Sequence, residues 1–267
     1  LHLLAVSAFP QDGSSCAVSA SGDVTFSDRN LTVGQITYFS GFCMKDLIPK
    51  YTQIMLRAGN AETEDMMFES EVAESVIKTI MEHNETADWQ GNTGSANVYI
   101  NRYNGLIKII DDAATAVDGN ASGATAITAG ASGNVDGLIT DICNARPAKV
   151  KSAANQVLFV GQDTFDKYVD TLNAKNLYHI NATDWANYET SIAGKNVSLV
   201  GVAGLDGTNR MFLGTQDNFF LGFDLQNDEE EFDMWYDKKD DKVYYRVKFK
   251  RGLQVAYPDE IVEFTLA

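Results

Sequence analysis

The chain has 267 residues, 45% of them hydrophobic, which is enough to bury a real core in one large domain or two smaller ones. Its 37 acidic residues against 21 basic give a formal charge of −16, which argues against a tight grip on a phosphate backbone, since that depends on clustered Lys and Arg. No apolar run approaches the roughly 18 residues a membrane span needs, and the scattered cysteines Cys16, Cys43 and Cys143 offer neither a disulfide framework nor a CxxC metal motif.

The opening Leu1 to Val6 is apolar but short and lacks the basic flank of a secretory signal. The chain does not start with Met and is expected to be a processed product or the ordered part of something longer. Residues 14–42 read as extended, with Val24, Phe26, Leu31, Val33, Ile36, Tyr38 and Phe39 set among Ser, Thr and Asp. So polar a segment forms a poor core by itself. It fits either an arm that finds its partner on another subunit or an ordinary edge strand and loop.

Met44 to Leu56 reads as a short helix interrupted by Pro49, before Gly59-Asn60. A long acidic amphipathic helix follows over Asp65 to Thr86, about 33 Å at ~1.5 Å per residue. Phe68, then Val72 with Ala73, Val76 with Ile77 and Ile80 with Met81, line one face at a period of about 3.6 residues; Glu69, Glu71, Glu74, Lys78 and Glu82 fill the other. Thr63 is placed to cap it, and Glu64 and Asp65 suit the positive end of its dipole. The helix is expected to end before the turn-rich Trp89-Gln90-Gly91-Asn92-Thr93-Gly94, which leads to Tyr103-Asn104-Gly105-Leu106.

Asp111 to Ser132 is rich in Ala, Gly, Thr and Asp, with a surface turn at Asp118 to Gly123. Val135, Leu138, Ile139, Ile142 and Cys143 keep helical spacing, with Pro147 just beyond. Val157 to Val160 is an apolar run of strand length, turned by Gly161-Gln162 into a helix capped by Asp163-Thr164 and bearing Phe165, Tyr168, Val169 and Leu172. Further strands are predicted over Val197 to Leu205, Arg210 to Gly214 and Asn218 to Leu225. At the end, Glu230 to Tyr236 and Val243 to Lys250 bracket a charged tip, Asp237 to Lys242; Val243, Tyr245, Val247 and Phe249 alternate strictly with Tyr244, Arg246, Lys248 and Lys250. Gly252 is expected to break that strand, after which Leu253 to Val255 and Ile261 to Phe264 finish the chain.

Chemistry is sparse. His2, His83 and His179 have no second His or Cys at ligand spacing, and His179 near Asp184 reads as a surface pair. No GxSxG elbow, P-loop or dinucleotide fingerprint follows a predicted strand. The run Asp228, Glu229, Glu230, Glu231, Asp233 fits either a hard cation or a solvated face, and it lacks the Gly-centred calcium-loop spacing. Asp237, Asp240 and Asp241 interleave with Lys238, Lys239 and Lys242, which suits solvation or pairing with a neighbouring molecule. No catalytic, metal-binding or cofactor-binding residue is singled out, and together these absences argue against an enzyme.

This succession of elements resembles the major capsid proteins of tailed bacteriophages, an α+β fold of the Hong Kong 97 type. In that family an extended loop leads to a long spine helix, a Gly-rich connection, an axial domain of mixed strands and helices, and long peripheral strands. Carried onto this chain, the resemblance implies an extended loop and first peripheral segment over 1–60, with Val24 to Phe39 as the loop's returning strand. It implies the spine helix and its connection over 61–95, an axial domain over 96–225, and peripheral return strands over 226–267. The wording of the segments is most similar to capsid proteins of crAss-like Bacteroides phages. Little precedes the loop strand, so the family's N-terminal arm and scaffolding segment are expected to be missing, and the cross-link of the type member has no identifiable residues. The resemblance implies a shell subunit that assembles with itself into hexamers and pentamers around double-stranded DNA in a phage head, made in the bacterial cytoplasm. It implies contacts with portal, scaffolding and decoration proteins, with no cofactor, no membrane and no sequence-specific nucleic-acid binding. An encapsulin-like compartment shares the fold. From a different class, a β-rich carbohydrate- or surface-binding module would use the aromatics Trp185, Tyr188, Trp235, Tyr236, Tyr244 and Tyr245.

Overall fold

The computed structural model describes residues 1–7, 22–43, 67–177, 187–223, 231–240 and 242–267. The Met44 to Leu56 helix, the cap at Thr63 to Asp65, Cys16, His179, Asp184, Trp185, Asp241 and the Asp228 to Glu230 part of the acidic run lie outside these. Strands and helices fall into three sheets, the two larger of them tied together by one long helix.

The largest sheet has six strands in the order β4-β12-β8-β5-β7-β6. They are β4 (Val117–Asp118), β5 (Gln156–Gly161), β6 (Glu189–Ser191), β7 (Ser198–Val202), β8 (Met211–Thr215) and β12 (Val262–Phe264). Side chains in a strand alternate between faces, so Leu158, Val160, Met211, Leu213, Val262 and Phe264 share one side and Phe159 and Phe212 the other. The first side is covered by α3 (Val135–Asn144) through Val135, Leu138, Ile139 and Ile142, and by α4 (Gln162–Ala174) through Phe165, Tyr168 and Leu172. The second is covered by α2 (Leu106–Ala113) through Leu106 and Ile110, joined by Trp89. With both faces buried, β5 can be apolar from Val157 to Val160, and α4 supplies the crossover that its parallel pairing with β7 requires.

The second sheet is built on β11 (Lys242–Val255), fourteen residues long. It pairs antiparallel with β10 (Glu231–Asp237) and with β3 (Gly34–Phe42), and its last four residues pair with β9 (Phe219–Gly222). Gly252 does not break the strand as expected. A Cβ there would fall 2.2 Å from the Thr32 carbonyl oxygen, so glycine admits the crossing chain while the ladder continues. The third sheet is the hairpin of β1 (His2–Ser7) and β2 (Asp23–Asp28). The single returning strand expected over Val24 to Phe39 is therefore two strands in two different sheets.

The long helix α1 spans Met67–Gln90 and runs about 36 Å. It continues past Thr86, so Trp89 and Gln90 form its last turn rather than a loop. Its predicted apolar face is used only in part: Val76 and Ile80, joined by Ala87, pack on Ile36, Tyr38, Val247 and Phe249 of the second sheet, whereas Ile77 and Met81 face out. A single layer under one side of a helix covers a stripe narrower than the full amphipathic arc.

Other differences are local. The Val197 to Leu205 strand ends at Val202 and turns into a 3-10 segment at Ala203–Leu205. Gly161, not Asp163, occupies the cap of α4, and Asp163 sits in its first turn. The end of the chain, expected to be wholly peripheral over 226–267, divides: β12 joins the six-stranded sheet, whose alternation its side chains complete.

Candidate assembly surfaces and the helix junction

At its last turn α1 meets both large sheets, and two carboxylates one turn apart hold it. The Asp88 carboxylate accepts a hydrogen bond from the Tyr103 hydroxyl at 2.6 Å and a fork from Arg251, with Nε at 2.9 Å and a terminal nitrogen at 2.6 Å. Both ionic side chains are mostly buried, 16% exposed for Asp88 and 20% for Arg251. Burial, reinforced by the Asp88 charge and hydrogen bond, pushes the Tyr103 hydroxyl well above the usual phenol range. The Glu85 carboxylate accepts from the backbone N–H groups of Ala203 at 2.8 Å and Gly204 at 3.3 Å, and the Gln90 amide donates to the Gly204 carbonyl at 2.8 Å. Asp88 thus ties α1 to β11, and Glu85 ties it to the 3-10 turn after β7.

The Gly-rich connection explains itself here. The Gly105 N–H donates to the Gly91 carbonyl at 2.9 Å, and a Cβ on Gly91 would sit 2.4 Å from the Ala87 carbonyl oxygen and 2.8 Å from the Gly105 nitrogen. Two backbones touch, and any side chain at that contact would force them apart.

Outward, the chain presents two apolar faces. On the hairpin, Leu4 stands opposite Phe26 and Val6 opposite Val24, all on one side and 51%, 77%, 62% and 51% exposed respectively. The hairpin is held at its root, where Arg29 donates to the Val255 carbonyl at 2.7 Å and Gln254 to the Asn30 carbonyl at 2.6 Å. On the side of the second sheet away from α1, the rings of Phe39, Trp235 and Tyr244 stack at centroid distances of 5.5–6.0 Å. Arg246 lies over Trp235 and pairs with Asp233 at 2.8 Å. Gly41 makes room, since a Cβ there would meet the Tyr244 ring at 2.5 Å. Phe39 is 60% exposed.

The polar residues weighed in the sequence are dispersed. His83 lies between Tyr38 and Tyr99 on the inner side of α1, with ring centroids at 6.2 and 5.0 Å. Asp237 accepts the Lys239 N–H and Asp240 the Tyr244 hydroxyl, so both serve the hairpin tip. Among the described residues, no group of three His, Cys, Asp or Glu side chains is placed to hold a metal ion, and no helix is long and apolar enough to cross a membrane. A cleft of about 580 Å³ is lined by Asp111, Asp118, Arg210 and Glu263, where Arg210 pairs with both Asp111 and Glu263. Arg210 is thus engaged by two of those carboxylates, and Asp118 accepts the Asn120 N–H at 2.8 Å.

Sequence reasoning missed the Glu85, Asp88, Tyr103 and Arg251 constellation. One signal was available: Arg251 has the same parity in β11 as Val247 and Phe249, and a cation on a buried face implies a buried partner.

A long helix bridging a two-faced mixed sheet and a long antiparallel sheet, with an outlying hairpin, defines the class of fold. Comparison with solved structures places it as the fold of phage capsid proteins. A satellite phage P4 procapsid structure that includes the size-determination protein matches over 98% of this chain and 79% of its own, with a TM-score of 0.62 at 13% identity. The capsid of an empty GTA particle matches over 100% and 84% with a TM-score of 0.59 at 10% identity. A Mycobacterium phage Adephagia structure matches over 99% and 84% with a TM-score of 0.56 at 16% identity. No protein-family model and no curated protein matches the chain.

Proposed function

We propose that the chain is a major capsid protein of the Hong Kong 97 type, a structural rather than catalytic subunit that self-assembles into the icosahedral head enclosing double-stranded phage DNA. The observation that carries this reading is α1: one stiff rod anchored by Asp88 to β11 and by Glu85 to the turn after β7, bracing two sheets whose cores are separate clusters. The phage-capsid fold supports it. In this reading α1 is the spine helix, the six-stranded sheet with α2, α3 and α4 is the axial domain, β3, β9, β10 and β11 form the peripheral domain, and β1 and β2 belong to the extended loop. The hairpin's exposed apolar face, which a two-stranded ribbon cannot keep stable in water alone, suits a contact with a neighbouring copy. Portal, scaffolding and decoration proteins are the further partners this role entails, and the phage head is its location.

The carbohydrate-binding reading is less well supported. A sugar stacks on the face of a ring, whereas Phe39 and Tyr244 lie nearly parallel, 12° apart, and occupy each other's faces. Electron microscopy of the full-length protein, expressed alone and with its neighbouring genes, tests the proposal. Closed shells are expected, and a monodisperse monomer under both conditions overturns it. Packaged DNA rather than a cargo enzyme separates a virion from a cellular compartment.

A further inference from the structure

We propose that Asn104-Gly105, the one Asn-Gly step in the sequence, is a conditional modification site: Asn104 deamidates spontaneously while the chain is unfolded, and closing the junction between α1 and α2 shuts the reaction off. A glycine after asparagine leaves the next amide nitrogen unshielded by a side chain and lets the backbone turn freely into the reactive geometry. The Gly105 nitrogen gives up its proton to base and attacks Asn104 Cγ. The N–Cγ bond forms, the Cγ–Nδ2 bond breaks, and the side-chain nitrogen leaves as ammonia. Water then opens the resulting succinimide at either carbonyl, giving aspartate or isoaspartate at position 104. A larger residue cannot replace Gly105 to block this chemistry. Its Cβ would fall 2.6 Å from the Gly91 nitrogen and 2.7 Å from the carbonyl oxygens of Ala87 and Trp89. The fold needs the labile pair and therefore has to guard it.

Three restraints do so. The proton that has to leave Gly105 is held, because its N–H donates to the Gly91 carbonyl at 2.9 Å and both glycines are buried. The amide that has to swing is held as well: Asn104 Oδ1 accepts from the Thr93 N–H and from the Thr93 hydroxyl, each at 3.0 Å. Gly105 also occupies the cap of α2, with φ −80° and ψ 173°, and its carbonyl accepts the Ile109 N–H at 3.0 Å, so the first helical turn fixes the backbone beyond it. Ring closure breaks the Gly91 bond and the Thr93 pair together, so it waits for a local opening of the junction. The two products then differ. Aspartate keeps an acceptor oxygen for both Thr93 donors. Isoaspartate carries the main chain through the side-chain carbon, one atom longer, and drives the Gly105 nitrogen off the Gly91 carbonyl. A chain altered in that way cannot seat α2 against the end of α1.

Peptide mapping by mass spectrometry tests this on the full chain, held at mildly alkaline pH either folded or in concentrated guanidinium chloride. Asn104 is expected to convert in the denaturant, with isoaspartate the main product, and at least about tenfold more slowly in the folded chain. Thr93→Val removes the hydroxyl donor and keeps the shape of the side chain. It should speed the reaction severalfold in the folded chain and leave the denatured rate unchanged. Equal rates in the two states, no conversion in denaturant, or a folded Thr93→Val chain no faster than the parent overturns the assignment. Asn104→Asp should melt within about 2 °C of the parent. When partly aged chain is returned from denaturant, isoaspartate at position 104 should be depleted from the folded fraction at least about tenfold relative to aspartate. An even distribution shows that the junction accepts the longer backbone and overturns the exclusion of that product.

Discussion

Replacing Asp88 by Asn tests how the rod is held. Asn keeps the shape of the side chain but removes the charge, and it turns one of two acceptor oxygens into a donor facing the Arg251 fork. Arg251, 20% exposed, is then left as a nearly buried cation without its counter-ion, and Tyr103 loses a charged acceptor. Breaking a fully buried pair from one side costs about 3–5 kcal/mol; the residual water access of both groups reduces this to about 2–4 kcal/mol. At roughly 2–4 °C per kcal/mol for a chain of this size, the melting temperature of the unassembled subunit should fall by about 4–16 °C. Near-UV circular dichroism through a thermal ramp measures it. Arg251→Met alone should cost a similar amount, and the double variant should recover part of the loss because no charge is left unpaired. An Asp88→Asn protein melting within about 1 °C of the parent, or a double variant as weak as the two single losses summed, refutes the argument that this pair locks α1 to β11.

Three other outcomes are expected. The Tyr103 hydroxyl titrates higher in the folded protein than its ordinary value of 10.0, so its stabilisation is complete below that pH and is lost as pH rises above it. Thermal melts between pH 9 and 11, bracketing that value, should show a steeper decline for the parent than for Tyr103→Phe, with the slope left in the variant coming from Tyr38, Tyr168 and Cys143, which burial raises, and from Tyr244, raised by its hydrogen bond to Asp240. Gly204→Ala would place a methyl 2.5 Å from both the Glu85 carbonyl oxygen and Trp89 Cδ1, prying the 3-10 turn from α1; a loss of about 1–3 kcal/mol is expected, with a red shift of Trp89 fluorescence. Phe26→Asp should leave the melting temperature of the free subunit within about 1 °C, as for a surface change, while abolishing particles in electron micrographs.

Much of the local structure was legible in advance, because periodicity reports which face of an element meets water. The helical spacing from Val135 to Cys143 predicted α3 within a residue, and the strict alternation from Val243 to Phe249 predicted β11 and its inner face. The apolar run at Val157 to Val160 correctly implied a strand buried on both sides. The candidate surfaces were half visible: the polar, poorly core-forming residues 14–42 left open an outlying arm or an ordinary edge strand, and the described part divides, with β2 in the outlying hairpin and β3 an edge strand of the second sheet, but nothing told which side chains share a face. That depends on the register of Leu4 with Phe26, fixed between strands whose paired residues are sixteen positions or more apart in the chain.

Composition and spacing alone determined an acidic, mixed helix-and-strand chain with one unusually long amphipathic helix and no spaced ligand set. Tertiary structure decided the rest. The division of residues 24–39 between two sheets, the survival of β11 through Gly252, and the outward turn of Ile77 and Met81 all depend on what lies opposite, not on what lies adjacent. So does the meeting of Asp88 with Arg251, 163 positions apart. A side chain's intrinsic preference extends only a few residues, whereas a buried charge or a glycine contact is satisfied by whichever distant backbone the packing brings within reach.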